Sequence, residues 1–218
     1  MSCSICNLRK EKRFCPAVHG RICPQCCGEQ REVTLDCPSD CSYLLQARQH
    51  EKPRDLATLD RESLFPDVEI GDSFLYEHEH LLLGLSFALA LSARANRSLA
   101  DRDLLAALTS VSQGYASQLK SGLILDQRTA NLEHQAIAGE IARAISEFRE
   151  TEQKHTGLIR LRDADVLKAL VFLLRMGLAR SSGRPKSRAF IDFLLAQFPE
   201  RESALASPDD AGSRIIVP

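Results

Sequence analysis

Apolar residues recur at helical spacing through most of the chain beyond residue 66. Between Asp72 and Ala95 they cover nearly every face, with Leu81, Leu82, Leu83, Leu85, Phe87, Leu89 and Leu91 in close succession. A helix apolar all round belongs at the centre of a protein. A second helix is predicted after the cap Ser98, with Asp101 three residues on. Leu104, Leu108, Val111, Tyr115 and Leu119 keep its period before Ser121-Gly122 stops it. A third follows the cap Asp126 and carries Leu132, Ile137, Ile141, Ile145 and Phe148 as far as Gln153. A fourth opens at Asp163 with Val166, Leu167, Leu170, Val171 and Leu174, ending at Gly177. A short fifth, Ser187 to Phe198, closes against Pro199. No alternating run interrupts these stripes, and an antiparallel helical bundle is the natural way to bury them.

The first fifty residues read differently. All eight cysteines lie between Cys3 and Cys41. So sharp a shift in composition predicts a Cys-rich module over 1–50. A polar, proline-flanked linker over 51–66 leads to the bundle over 67–199, and a loosely ordered tail covers 200–218. The fold class expected is all-α with a small zinc-stabilised N-terminal module.

Charge refines this division. The total of 28 basic and 29 acidic residues gives −1, but residues 1–61 carry +2, 62–156 carry −6, 157–198 carry +5 and the remainder −2. The most apolar uncharged run, Leu81 to Ala93, has 13 residues, and a membrane span needs ~20. No apolar stretch precedes Cys3. The expectation is a soluble, cytoplasmic protein with no membrane partner, and in that compartment clustered cysteines point to metal or redox chemistry.

The most informative stretch is Cys23-Pro24-Gln25-Cys26-Cys27-Gly28, followed by Cys37-Pro38-Ser39-Asp40-Cys41. A Cys-x-x-Cys turn presents two thiolates together, and Gly28 offers a positive φ behind it. Glu32-Val33-Thr34-Leu35 is short and β-branched, as in a hairpin strand. Pro38 suits the first turn of a helix bearing Cys41. Two ligands from a turn and two from a helix start would close a tetrahedral Zn2+ site. Cys3, Cys6, Cys15 and either His19 or Cys27 would supply a second. Crossed sets are equally allowed: Cys3 and Cys6 with Cys23 and Cys26, and Cys15 with three of His19, Cys27, Cys37 and Cys41. The count suggests two Zn2+ ions. The iron–sulfur run Cys-x2-Cys-x2-Cys-x3-Cys is missing, and no βαβ pattern supports a redox dithiol.

The stretch from Cys23 to about His50 resembles treble-clef and zinc-ribbon fingers. The run CPQCCGEQREVTLDCPSDCSYL is similar to the Cys-rich N-terminus of bacterial proteins of uncharacterised function that join such a module to a helical region. That resemblance implies an architecture and no activity.

Zinc fingers often bind nucleic acid. Eight thiolates with two Zn2+ would, however, turn the +2 of residues 1–61 into about −2, a poor footprint for phosphate. Arg180, Arg184, Lys186 and Arg188 form the better candidate, because Gly183-Arg184-Pro185 resembles an AT-hook core. Glu77-x-x-His80 and Glu152-x-x-His155 match the pairs of di-iron bundles, but they fall at helix ends. Gly-x-Ser-x-Gly, Walker, dinucleotide and His-Glu-x-x-His motifs are missing from the sequence. The expectation is a non-enzymatic zinc-binding adaptor or regulator acting on a protein partner or a second copy of itself. The alternative is a nucleic-acid-associated regulator using 180–188.

Overall fold

The computed structural model describes residues 1–122 and 130–199. The expected cap at Asp126 and the tail 200–218 lie outside the described residues. An antiparallel hairpin comes first: β1 (Arg13–Cys15) pairs with β2 (Gly20–Ile22), and a 3-10 turn at Pro16–Val18 joins them. Two short helices follow, α1 (Pro24–Gln30) and α2 (Ser42–His50). Next come α3 (Asp72–Glu77), α4 (Glu79–Ala95), α5 (Asp101–Ser121), α6 (Leu132–Thr156), α7 (Asp163–Arg180) and α8 (Ala189–Gln197). The described chain is therefore mostly helical. None of its helices is long and apolar enough to cross a membrane.

Two separate cores hold it together. The larger lies among α3–α8, where Leu85, Leu89, Leu104, Leu108, Ile137, Ile141, Leu170 and Phe190 are fully buried. Here α5 packs against α6 and α7, and α4 against α6 and α8. The smaller comprises Ile22 and Leu35 with Cys3, Cys15, Cys23, Cys26 and Cys27. Sulfur makes up most of that second core, which leaves little hydrocarbon to fold it.

Local chemistry moved several expected boundaries. The β-branched stretch Glu32–Leu35 is a turn, not a strand. The amides of Val33, Thr34 and Leu35 all donate to the Gln30 carbonyl, folding the chain back on the end of α1, and Glu32 takes the left-handed region at φ 55°. Gly28 needs no positive φ, because it lies inside α1. Pro38 sits in a turn closed by the Cys41 amide, and α2 starts only at Ser42 with Cys41 as its N-cap. The expected first long helix is broken at His78, whose amide and ring Nδ1 both reach the Phe74 carbonyl and whose ring stacks on Phe74. α5 opens at Ala100, not Ser98, with the Asp103 carboxylate accepting the Ala100 amide at 2.8 Å. Asn131 caps α6, accepting from the Glu133 amide at 2.8 Å.

Gly177 does not end α7, which runs on to Arg180. The glycine serves packing instead: a Cβ there would lie 2.8 Å from both Leu105 Cδ2 and Phe190 Cε1. Overpacking of this kind costs about 1–3 kcal/mol, more than the ~1 kcal/mol that alanine gains over glycine in a helix. Gly177→Ala is therefore expected to destabilise the protein by a net ~1 kcal/mol, read as a lower urea midpoint with the m-value unchanged.

The segment between the two cores is packed against the helices. Arg54 donates its amide to the Ala179 carbonyl at 3.0 Å. The guanidinium of Arg175 donates to the carbonyls of Leu64, Phe65 and Val68 at 2.9, 2.7 and 3.0 Å. The Cys-rich segment is seated on the helical body by the loop between α7 and α8. Glu32 sits at the middle of that seat and is 1% exposed. Its carbonyl accepts the Lys186 amide at 2.8 Å. Its carboxylate accepts from Arg48 at 2.8 Å and from Ser182 Oγ at 3.1 Å. Arg48 also donates to Asp192 on α8 at 2.6 Å, and Ser39 Oγ to the same carboxylate at 2.7 Å.

Candidate metal centre

The hairpin and α1 bring two distant Cys-x-x-Cys pairs together. Cys3 and Cys6 lie on a loop held against β2, where the Ser4 amide donates to the Arg21 carbonyl. The Asn7 amide closes that loop on the Cys3 carbonyl at 2.9 Å. Cys23 is the N-cap of α1, and Cys26 falls one turn into the helix with its amide donating to Cys23 Sγ at 3.4 Å. Pro24, at the first helical position, needs no amide partner and fixes the turn. The Cys23 amide donates to Cys3 Sγ at 3.2 Å, locking the pairs to each other.

The sulfurs of Cys3, Cys6, Cys23 and Cys26 all lie within 4.8 Å of one another. Tetrahedral coordination at a Zn–S length of about 2.3 Å places sulfurs about 3.8 Å apart, so a small contraction would close the site around an ion. These four cysteines stand close enough to hold a metal ion. The structure thus assembles the crossed set of pairs, joining the first Cys-x-x-Cys to the second, and does not gather Cys23 and Cys26 with Cys37 and Cys41.

The electrostatics of this group suit a cation. Burial raises the Cys3 thiol, but amides of Cys6, Cys23 and Ile5 aimed at its sulfur more than offset this and bring it down to about 6. Cys23 is lowered by the Cys26 amide, against burial, with the Arg9 guanidinium helping. Cys26 is pushed up to about 12 by burial and by the neighbouring sulfurs of Cys23, Cys6 and Cys3. Negative charge therefore concentrates on Cys3 and Cys23, and the Cys26 thiol ionises only with a positive centre beside it.

His19 falls outside this group. It is exposed and occupies the left-handed region at φ 48°, closing the 3-10 turn of the hairpin. Cys15, Cys27, Cys37 and Cys41 line a separate small cavity. Glu152 is used structurally, accepting the amides of Arg160 and Leu161 at 3.0 and 2.9 Å, and His80 is exposed.

The basic segment has intramolecular partners throughout. Arg180 lies over the Phe193 ring at 3.6 Å. Arg184 donates to the Arg31 carbonyl at 2.9 Å. Lys186 donates to the Thr34 carbonyl and pairs with Asp36, both at 2.9 Å. Arg188 donates to the carbonyls of Arg97 and Leu99. Arg184 and Lys186 thus complement carbonyls that the Cys-rich segment presents at the seat, whereas Arg180 and Arg188 are held within the helical body. Glu32, Arg48 and Asp192 carry the same contact, and no local pattern marks them, because their partners lie up to 153 residues away in sequence.

Compared with known proteins, the chain matches no family model, and no curated protein or solved structure matches it either.

Proposed function

We propose that the chain is a non-enzymatic zinc-binding adaptor or regulatory protein. In this reading a treble-clef-like finger, formed by the Cys3–Cys6 loop, the hairpin and α1, is mounted on an antiparallel helical bundle. The observation that carries it is the closed set of four cysteines. A site with four protein sulfurs leaves no position for water or substrate, which is the mark of structural rather than catalytic zinc. The treble-clef reading thus spans 3–30 rather than the stretch from Cys23 onward. All eight cysteines are free thiols, in keeping with a reducing, cytoplasmic setting and with two ions per chain. The finger offers exposed Leu8, Phe14 and Val18 as apolar contacts for a protein partner.

The test uses the full metal-loaded chain as bait. A protein captured by it and lost with Phe14→Glu, while zinc stoichiometry is unchanged, is the expected result. A salt-sensitive gel shift with nucleic acid, abolished by Arg184→Ala and Lys186→Ala, would overturn the adaptor reading in favour of the nucleic-acid one. Catalytic turnover of any substrate by the zinc-loaded chain would overturn it in favour of an enzyme.

A further inference from the structure

Four cysteines remain outside the first group, and the fold brings them to one place. Cys15 ends β1, Cys27 lies on α1, Cys37 follows the Glu32 turn and Cys41 caps α2. All four line one cavity of about 20 Å3, closed on its other sides by Ile22, Leu35, Tyr43 and Leu44. That volume takes one water-sized body, and a bare divalent ion is smaller. Water needs two to four polar partners in such a space, whereas this wall is mostly sulfur and hydrocarbon, with Arg13 and Arg31 at its edge. Arg13 donates to Cys27 Sγ at 3.6 Å while its guanidinium lies 4.6 Å over the Tyr43 ring. A fixed cation against one sulfur is what an anionic four-thiolate metal complex requires. Among the described residues only the first group has its sulfurs within 4.8 Å of one another, so an ion here would have to draw these four together.

Glu32 connects this cavity to the helical body. Its backbone amide donates toward the Cys37 sulfur, while its carbonyl and carboxylate hold Lys186, Arg48 and Ser182. A buried non-glycine residue at φ 55° persists only where its surroundings over-determine it.

We propose that Cys15, Cys27, Cys37 and Cys41 bind a second thiophilic divalent ion, zinc by preference, and that this ion fixes the Glu32 turn and so latches the Cys-rich segment onto the loop between α7 and α8. On binding, each coordinating thiol gives its proton to solvent and its sulfur lone pair to the metal. No electron is transferred. The latch rests on the zinc reading of the first site but has its own ligands and its own outcome.

The experiment titrates the reduced, metal-free full chain with Zn2+ and counts bound ions by native mass spectrometry. Amide exchange over 28–37 and 182–188 is followed in the same samples. Two ions per chain are expected in the unaltered protein and one in Cys37→Ser/Cys41→Ser. The variant should lose amide protection across both segments while residues 3–6 and 23–26 stay protected. Cys41→His, which keeps a zinc ligand, should restore the second ion. One ion in the unaltered chain overturns the second site and leaves the first standing, whereas none overturns both. A double variant that still binds two ions overturns the ligand assignment. One that binds a single ion with unchanged exchange at 182–188 overturns the latch. The count in the unaltered chain decides the matter even if the double variant fails to fold.

Discussion

Stripping metal from the reduced protein is expected to unfold residues 1–36 while α4–α8 remain folded. The hydrocarbon of the small core is little more than Ile22 and Leu35, far too little to offset the ordering entropy of some thirty residues at ~1–2 kcal/mol each. Structural zinc in finger peptides supplies about 10–16 kcal/mol near neutral pH. The helical body has its own core and does not depend on that contribution. Amide exchange should therefore show loss of protection across the hairpin and α1, with far-UV circular dichroism changing little. Acid should act in the same direction. Metal binds the thiolates and displaces their protons, so the stabilisation is present at neutral pH and is lost as pH falls and the sulfurs are reprotonated. Persistent protection of residues 3–27 after chelation would contradict the account.

Asp101→Ala is expected to destabilise the helical body by about 3 kcal/mol. Asp101 is fully buried. One carboxylate oxygen accepts from Ser187 Oγ at 2.7 Å, and the other accepts the amides of Phe190 and Ile191 at 3.1 and 3.0 Å. It thus caps α8 from a different helix, and its own amide donates back to the Ser187 carbonyl at 2.7 Å. Hydrogen bonds to a charged group contribute ~1.5–3 kcal/mol, and alanine would leave two buried amides without partners and the Ser187 hydroxyl without an acceptor. Asp101→Asn keeps an acceptor and should cost roughly half as much. Urea denaturation with a shifted midpoint and constant m-value would check this, and a midpoint within error of the parent would refute it.

These expectations show where sequence reading reached and where it stopped. The helical stripes on α4 to α8 were legible because a 3.6-residue period is a local property of the chain, and so was the stop at Gly122, which has positive φ, whereas α6 runs past the expected end at Gln153 to Thr156, with Gly157 as its C-cap. Asp101 was legible only as a first-turn acid of its own helix, because the capped amides are 89 and 90 residues distant. The Glu32–Leu35 stretch misled for a similar reason. Its β-branched side chains favour extension, but the free carbonyl at the end of α1 captured three amides in succession.

The chain alone determined that sulfur chemistry is confined to its first 41 residues and that helices make up the rest. Tertiary structure decided which thiols meet. Spacing within a Cys-x-x-Cys pair is fixed by one turn of backbone, but pairing between turns depends on how β1 and β2 fold back to carry Cys3 and Cys6 to the start of α1. It also decided the employment of Arg184 and Lys186. Charge density along a sequence is a sum over neighbours, whereas the partner of each cation is set by which carbonyls and carboxylates another segment brings within 3 Å. Here those belong to the Cys-rich segment, whose docking surface no local window contains.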